Sequence, residues 1–174
     1  MYKKDCVYYF ITLAVKNRAE VFNDEGYSYI IMDSIKYYCN KYKLLIEGYV
    51  VMRDHLHLLV GLPIESQGEQ PLLRADIMAR GNGPSPGLNP IIKSFLYDFK
   101  GYTGFNIIKQ MKQNHNQNLK LLTLSKSGIN CNYFRLWQKN WYIKIINNEK
   151  QYYQTIQYIK NNPVEAELFN LQKK

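Results

Sequence analysis

Two short segments hold the residue types best able to carry chemistry. The first is His55-Leu56-His57. Read as a strand, it alternates its faces, so that His55, His57 and Leu59 share one side while Leu56, Leu58 and Val60 share the other. Imidazoles two strand residues apart stand about 6–7 Å apart at Cα and can converge on one metal ion. The second segment is Tyr158-Ile159-Lys160-Asn161-Asn162-Pro163. In a helix Tyr158 and Asn162 lie one turn apart on the same face. A phenol can attack a phosphodiester and stay attached as a tyrosyl ester. Its reference pKa of about 10 means that it needs a metal or a base beside it. The amide oxygen of Asn162 could complete a metal site with the two histidines. Plainer readings exist for each residue: strand histidines in ordinary hydrogen bonds, one of 16 tyrosines packed on an amphipathic helix, and an asparagine chosen for helix-end geometry.

These residues need elements to position them. Cys6–Val15 is rich in β-branched and aromatic residues and reads as a buried strand. Glu25–Tyr42 spaces Tyr27, Ile30, Ile31, Ser34, Ile35 and Tyr38 at three and four residues, as a helix with one apolar stripe does. Leu44–Met52 and His55–Leu62 read as a hairpin turning at Arg53-Asp54. Pro63–Pro90, with its many glycines and prolines, reads as a long loop insertion with a helical turn near Leu72–Met78. Ile91–Lys112 reads as an amphipathic helix broken near Gly101–Gly104, Asn114–Asn132 as loop, and Tyr133–Ile146 as a fourth, irregular strand. Asn148–Asn161 is the last helix, expected to stop where Pro163 restricts the residue before it. The order predicts an α+β, ferredoxin-like (RRM-like) antiparallel sheet with helices on one face, followed by a C-terminal helix that carries the tyrosine.

Bulk properties narrow the function classes. With 174 residues and 46% hydrophobic composition the chain suits a single domain over 1–174. It has no apolar run of the ~18 residues that would span a membrane, and its start lacks the pattern of a signal peptide, so a cytoplasmic protein with no membrane partner is expected. Cys6, Cys39 and Cys131 lie far apart and read as free thiols. A net charge of +9, with a pI near 9.3, favours a polyanionic partner, nucleic acid first. Lys93, Lys100, Lys109 and Lys112 on one helix, and Arg18 after the first strand, are candidate DNA phosphate contacts. Tyr8, Tyr102, Trp137 and Trp141 could stack on unpaired bases, with core packing the better reading for most of them.

The histidine strand, followed about a hundred residues later by Tyr158-Ile159-Lys160-Asn161-Asn162-Pro163-Val164, resembles the HUH single-tyrosine transposases of bacterial insertion sequences, and most of all their REP-associated branch. Other pieces line up in one order: Phe10-Ile11-Thr12-Leu13 with Arg18, Gly48 to Met52 with Asp54, Ile92 to Thr103, and Trp137 to Glu149. Two stretches depart from the family pattern. Pro63–Pro90 is longer than expected, and Lys139 to Lys144 lacks the histidine usual in that branch. The resemblance implies that Tyr158 attacks a DNA phosphate to give a 5′-phosphotyrosine link and a free 3′-hydroxyl, while His55, His57 and Asn162 bind Mg²⁺ or Mn²⁺. It implies single-stranded DNA and DNA hairpins as partners and leaves monomer and homodimer both open. The other readings are a non-catalytic nucleic-acid-binding module on the same sheet, and a replication or plasmid-relaxation nickase of the same superfamily.

Overall fold

The computed structural model describes residues 1–64, 88–124 and 133–165, with the backbone alone for Leu124 and residues 163–165. Most of the expected 63–90 loop insertion, its helical turn near 72–78, and Cys131 lie outside the described residues. The first strand, β1, runs Cys6–Ala14, and α1 covers Glu25–Lys41. Asp24 starts α1 by accepting a hydrogen bond from the Gly26 amide at 2.8 Å. The hairpin is β2, Leu45–Met52, with β3, His55–Pro63. Helix α2 spans Pro90–Gln113, capped by Asn89 and opened by Pro90 at its first position.

The helix does not break at Gly101–Gly104, contrary to the sequence expectation. Two glycines cost it about 1 kcal/mol each. The buried Phe95, Phe99, Ile107 and Met111 on either side outweigh that, each burial giving about 1.5–3 kcal/mol. Past α2, the expected loop contains a short 3-10 segment, Gln117–Leu122, and a two-residue strand β4, Thr123–Leu124. The single irregular strand expected over Tyr133–Ile146 is two strands. β5, Tyr133–Phe134, pairs with β4, whereas β6, Tyr142–Ile146, joins the main sheet beside β1. Between them Trp137 bridges to Val15 and buries its ring, which pulls the chain out of a continuous strand. The last helix, α3, spans Glu149–Glu165 and passes through Pro163 rather than stopping before it. Proline's φ is itself helical, and at this position it removes one bond near the helix end.

The main sheet has the order β2-β3-β1-β6, antiparallel throughout, which is the ferredoxin-like arrangement. Helices α1 and α2 cover one face. Against them β1 turns Tyr9, Ile11 and Leu13, and β3 turns Leu56, Leu58, Val60 and Leu62. Helix α3 lies over the other face, on a smaller cluster of Tyr8, Val50, Leu59, Ile146, Tyr152 and Ile159. Gly61 leaves room there for the Tyr8 ring: a Cβ at 61 would stand 3.0 Å from Tyr8 Cε1. A bulge at Glu47 interrupts the β2 register between Ile46 and Gly48. The Glu47 carboxylate accepts a hydrogen bond from the buried Tyr152 hydroxyl at 2.5 Å, tying α3 to β2.

Candidate active site

Strand alternation brings His55 and His57 to the α3 face, just beyond Leu59. Their Nε2 atoms are 3.2 Å apart. Each ring is held from its other nitrogen. Asp54 Oδ1 accepts from His55 Nδ1 at 2.6 Å, and Thr12 Oγ1 lies 2.8 Å from His57 Nδ1. With both Nδ1 atoms donating, both Nε2 lone pairs face one point. Two bare lone pairs at that distance repel each other, and a cation or a donated proton between them removes the repulsion.

His57 is 6% exposed, and burial, followed by the charges of His55 and Arg18, holds its imidazole down to about 4 against the opposing pull of Asp54. It is therefore neutral at physiological pH, the state in which imidazole ligates metal. Phe10 stacks on its ring at 5.3 Å between centroids.

The final helix supplies the third group. Tyr158 Oη lies 3.3 Å from His57 Nε2, although 101 residues separate them. Tyr158 is 49% exposed, so it is not a core tyrosine, and its ring meets Phe10 and His57 edge-on at 5.9 and 5.2 Å. One turn on, the half-buried Asn162 has an Nδ2 atom with no hydrogen-bond partner. Rotating that amide by 180° would present Oδ1 in its place.

A divalent cation fits the two imidazole donors. Two cis ligands about 2.1 Å from an octahedral ion stand about 3.0 Å apart, close to the Nε2 spacing seen here. Among the described residues no three His, Cys, Asp or Glu side chains gather round one point. A third donor would therefore come from the Asn162 amide, from water or from a phosphate.

The basic candidates divide. Arg18 reaches the site's edge, its Nε 2.7 Å from Asp54 Oδ2. It and Asn17 both adopt left-handed φ values, 54° and 55°. That conformation is costly for non-glycine residues and is typical of functional loops. The four helix lysines belong to α2, on the opposite side of the sheet from His57. Lys100 donates to the carbonyls of Gln138 and Lys139 at 2.8 and 3.3 Å and sits over the Trp141 ring. Burial, then the nearby Arg135 charge, lowers its ammonium to about 8. It ties α2 to the β6 approach. Lys93 is half-buried, and Lys109 and Lys112 are exposed. Of the proposed stacking residues, Tyr8 and Trp137 are core, Trp141 is half-buried and Tyr102 is exposed.

Sequence reasoning did not single out Thr12, Phe10 or the orienting role of Asp54. Asp54 could have been found, since it immediately precedes His55. Thr12 meets His57 only through the β1–β3 register, which a single sequence does not reveal.

Residues 3–69 match the family model described as transposase, IS200 like. An uncharacterized protein of Haemophilus influenzae is 28% identical over 172 residues, covering 90% of this chain and 80% of the relative. The structure of a REP-associated tyrosine transposase bound to a REP hairpin superposes over 95% of this chain and 71% of its own, with a TM-score of 0.52 and 18% identity, which makes it a match in fold. No described helix is long and apolar enough to cross a membrane. The matched stretch takes in β1 with Thr12, the Arg18 loop and the whole hairpin that bears His55 and His57, so the segment that builds the histidine site is the one that is similar to the IS200-like transposase model.

Proposed function

We propose that this chain cleaves and rejoins single-stranded DNA through Tyr158, at a site where His55, His57 and Asn162 hold Mg²⁺ or Mn²⁺. The observation that carries the reading is the approach of the Tyr158 hydroxyl, on the final helix, to 3.3 Å from the Nε2 of His57. In the step proposed, a bond forms between Tyr158 Oη and the phosphorus while the bond from phosphorus to the 3′-oxygen breaks. The tyrosine keeps a 5′-phosphate ester, the phenolic proton leaves, and the 3′-oxygen departs as a hydroxyl once protonated. Attack by another 3′-hydroxyl on the ester reverses the step and rejoins a strand, with no outside energy source.

The cation, when bound, would polarise the phosphoryl oxygen and neutralise its charge. Histidine is an unusual ligand for Mg²⁺, which prefers oxygen, so Mn²⁺ is expected to bind more tightly. The chain's own residues orient the parts. Asp54 and Thr12 fix the imidazole rings, Phe10 walls the site, and α3 presents a half-exposed phenol to solvent, from which DNA arrives. Tyr158 and His57 meet within one chain, which supports use of the tyrosine in cis. DNA hairpins as recognition elements follow from the family resemblance, and the REP-hairpin complex of the similarly folded transposase supports them.

The test is incubation with single-stranded DNA from the flanks of the gene, in Mn²⁺ or EDTA, followed by a denaturing gel. A metal-dependent protein–DNA adduct lost in Tyr158→Phe and in His57→Ala is expected. An adduct that persists in Tyr158→Phe would refute the nucleophile. Binding without any adduct would favour a nucleic-acid-binding module. Mixing Tyr158→Phe with His57→Ala protein should give no adduct if the tyrosine works in cis, whereas restored adduct would mean exchange between chains.

A further inference from the structure

A groove on the other side of the molecule is not accounted for by this chemistry. It runs between the second half of α2 and β5, holds about 610 Å³, and is lined by Gly101, Gly104, Phe105, Ile108 and Phe134 along its apolar floor and sides. Its charged lining is wholly cationic: Lys100, Lys109, Lys112 and Arg135. Lys100 is already committed to backbone carbonyls, and Lys112 sits over the Phe134 ring at 4.7 Å with its ammonium still exposed, so Lys109, Lys112 and Arg135 are the cations placed to meet a ligand.

Two aromatic rings stand at the groove's rim. Phe105 is 68% exposed, more than any other large apolar side chain among the described residues except the N-terminal methionine, and Tyr133 is 55% exposed. An exposed phenylalanine gains nothing from water, whereas a flat ring beside cations suits a flat base joined to a phosphate. Gly101 is part of the lining, and a Cβ there would meet nothing within 4 Å, so a larger side chain has room at this position.

We propose that this groove binds an unpaired stretch of nucleic acid, Phe105 and Tyr133 stacking on bases while Lys109, Lys112 and Arg135 take the phosphates. This rests on the DNA-processing reading above and adds a second contact to it, on the face of the sheet opposite the histidines. A protein partner would require an acidic apolar segment, and a membrane would require a broader cationic plane than this recess offers. Single-stranded DNA satisfies the rings and the charges together.

The experiment measures fluorescence anisotropy of labelled oligothymidylate, which cannot fold, on Tyr158→Phe protein so that no covalent step intervenes. Phe105→Ala is expected to weaken binding about tenfold, the effect of losing one stacked base. Lys109→Gln with Lys112→Gln should lower the slope of log affinity against log salt by ~0.7 for each phosphate released. Gly101→Leu fills the groove while improving helix propensity. It should weaken binding as much as Phe105→Ala, with a melting temperature no lower than that of the parent. Parental binding in both Phe105→Ala and Gly101→Leu would overturn the proposal, as would tighter binding of a blunt duplex that the same substitutions weaken equally. Adduct formation on a short oligonucleotide spanning only the cleavage site, measured with Tyr158 restored, separates the two readings. The groove proposal expects it to survive all four substitutions, whereas its absence in the parent would refute the catalytic reading and leave the anisotropy result to judge the groove.

Discussion

Replacing Asp54 with asparagine should loosen the proposed metal site while leaving the fold in place. Asp54 holds His55 Nδ1 at 2.6 Å through one oxygen and Arg18 Nε at 2.7 Å through the other. Asp54→Asn keeps the volume but removes the negative charge that makes His55 Nε2 a better donor. Its amide can also turn a donor toward Nδ1, which would force the proton onto Nε2, where a metal needs the lone pair. Losing such an outer partner typically costs 10–100-fold in metal affinity. The fold should lose little, because Arg18 is more than half exposed and its ion pair with Asp54 contributes within about 1 kcal/mol. Metal-linked stabilisation converts these figures into a thermal assay. At a Mn²⁺ concentration of about 100 Kd the parent gains about 2.7 kcal/mol, and at the same concentration a tenfold weaker site gains ~1.4 and a hundredfold weaker one ~0.4. For a domain of this size about 1 kcal/mol moves Tm by roughly 2–4 °C. The Mn²⁺-induced shift should therefore fall from ~5–11 °C in the parent to ~1–6 °C in Asp54→Asn. Equal shifts in the two proteins at every Mn²⁺ concentration would refute the claim that Asp54 tunes the site. No shift in the parent would refute the metal site itself.

Stability without metal should depend on pH through His57. Its folded-state pKa is depressed to about 4, so between roughly pH 6.5 and 4 the unfolded chain binds a proton that the folded chain refuses. The contribution is full above that window and is lost as pH falls through it, by ~3 kcal/mol in all. Urea unfolding in EDTA from pH 7.5 to 4 should show that slope, and His57→Gln should flatten it, with His55, Asp54 and Arg18 left in place. Tyr158→Phe should change unfolding free energy by no more than ~0.5 kcal/mol, since among the described residues its hydroxyl meets His57 Nε2 alone, at 3.3 Å, and its side chain is half exposed. A larger loss would make Tyr158 a structural residue. Tyr152→Phe is the converse case. The buried hydroxyl bonded to Glu47 is worth about 1.5–3 kcal/mol, so this variant should unfold at lower urea and form adduct more weakly than a Tyr153→Phe control.

The parts of the fold that could be read from sequence are those with a clear period. The alternation through Leu56, Leu58 and Val60 assigns the two faces of β3, and with them the shared side of His55 and His57. The three- and four-residue spacing from Tyr27 to Tyr38 gives α1 to within a residue. Where the reading went astray, long-range packing overrode local signals. Gly101 and Gly104 look like a break, yet Thr103 accepts a bond from Trp137 Nε1 at 2.9 Å, and that anchor holds the helix through them. The same tryptophan divides the stretch after Tyr133 into two strands on different sheets. Pro163 looks like a stop, but the turn before it was already formed. The convergence of Tyr158 on His57 was not derivable from either segment, because it depends on which sheet face α3 covers. It was reached by resemblance, and the geometry supplies a physical basis.

The division of the sheet into two faces would let the proposed chemistry coexist with stability. One face is dry: α1 and α2 bury an almost wholly apolar layer, and substitutions there act on folding. The other is only partly filled. Helix α3 seats Tyr152, Ile156 and Ile159 against Val50 and Leu59, and that single stripe fixes its position. Tyr158, the next residue outward from it, then lies where the apolar contact ends and the histidines begin. A nucleophile placed deeper would be closed to a polymer, and one placed on a loop would lack a set distance from His57. A helix anchored along one stripe and exposed along the next meets both demands. It also means that a DNA strand joined to Tyr158 would extend into solvent without unseating the helix that carries it.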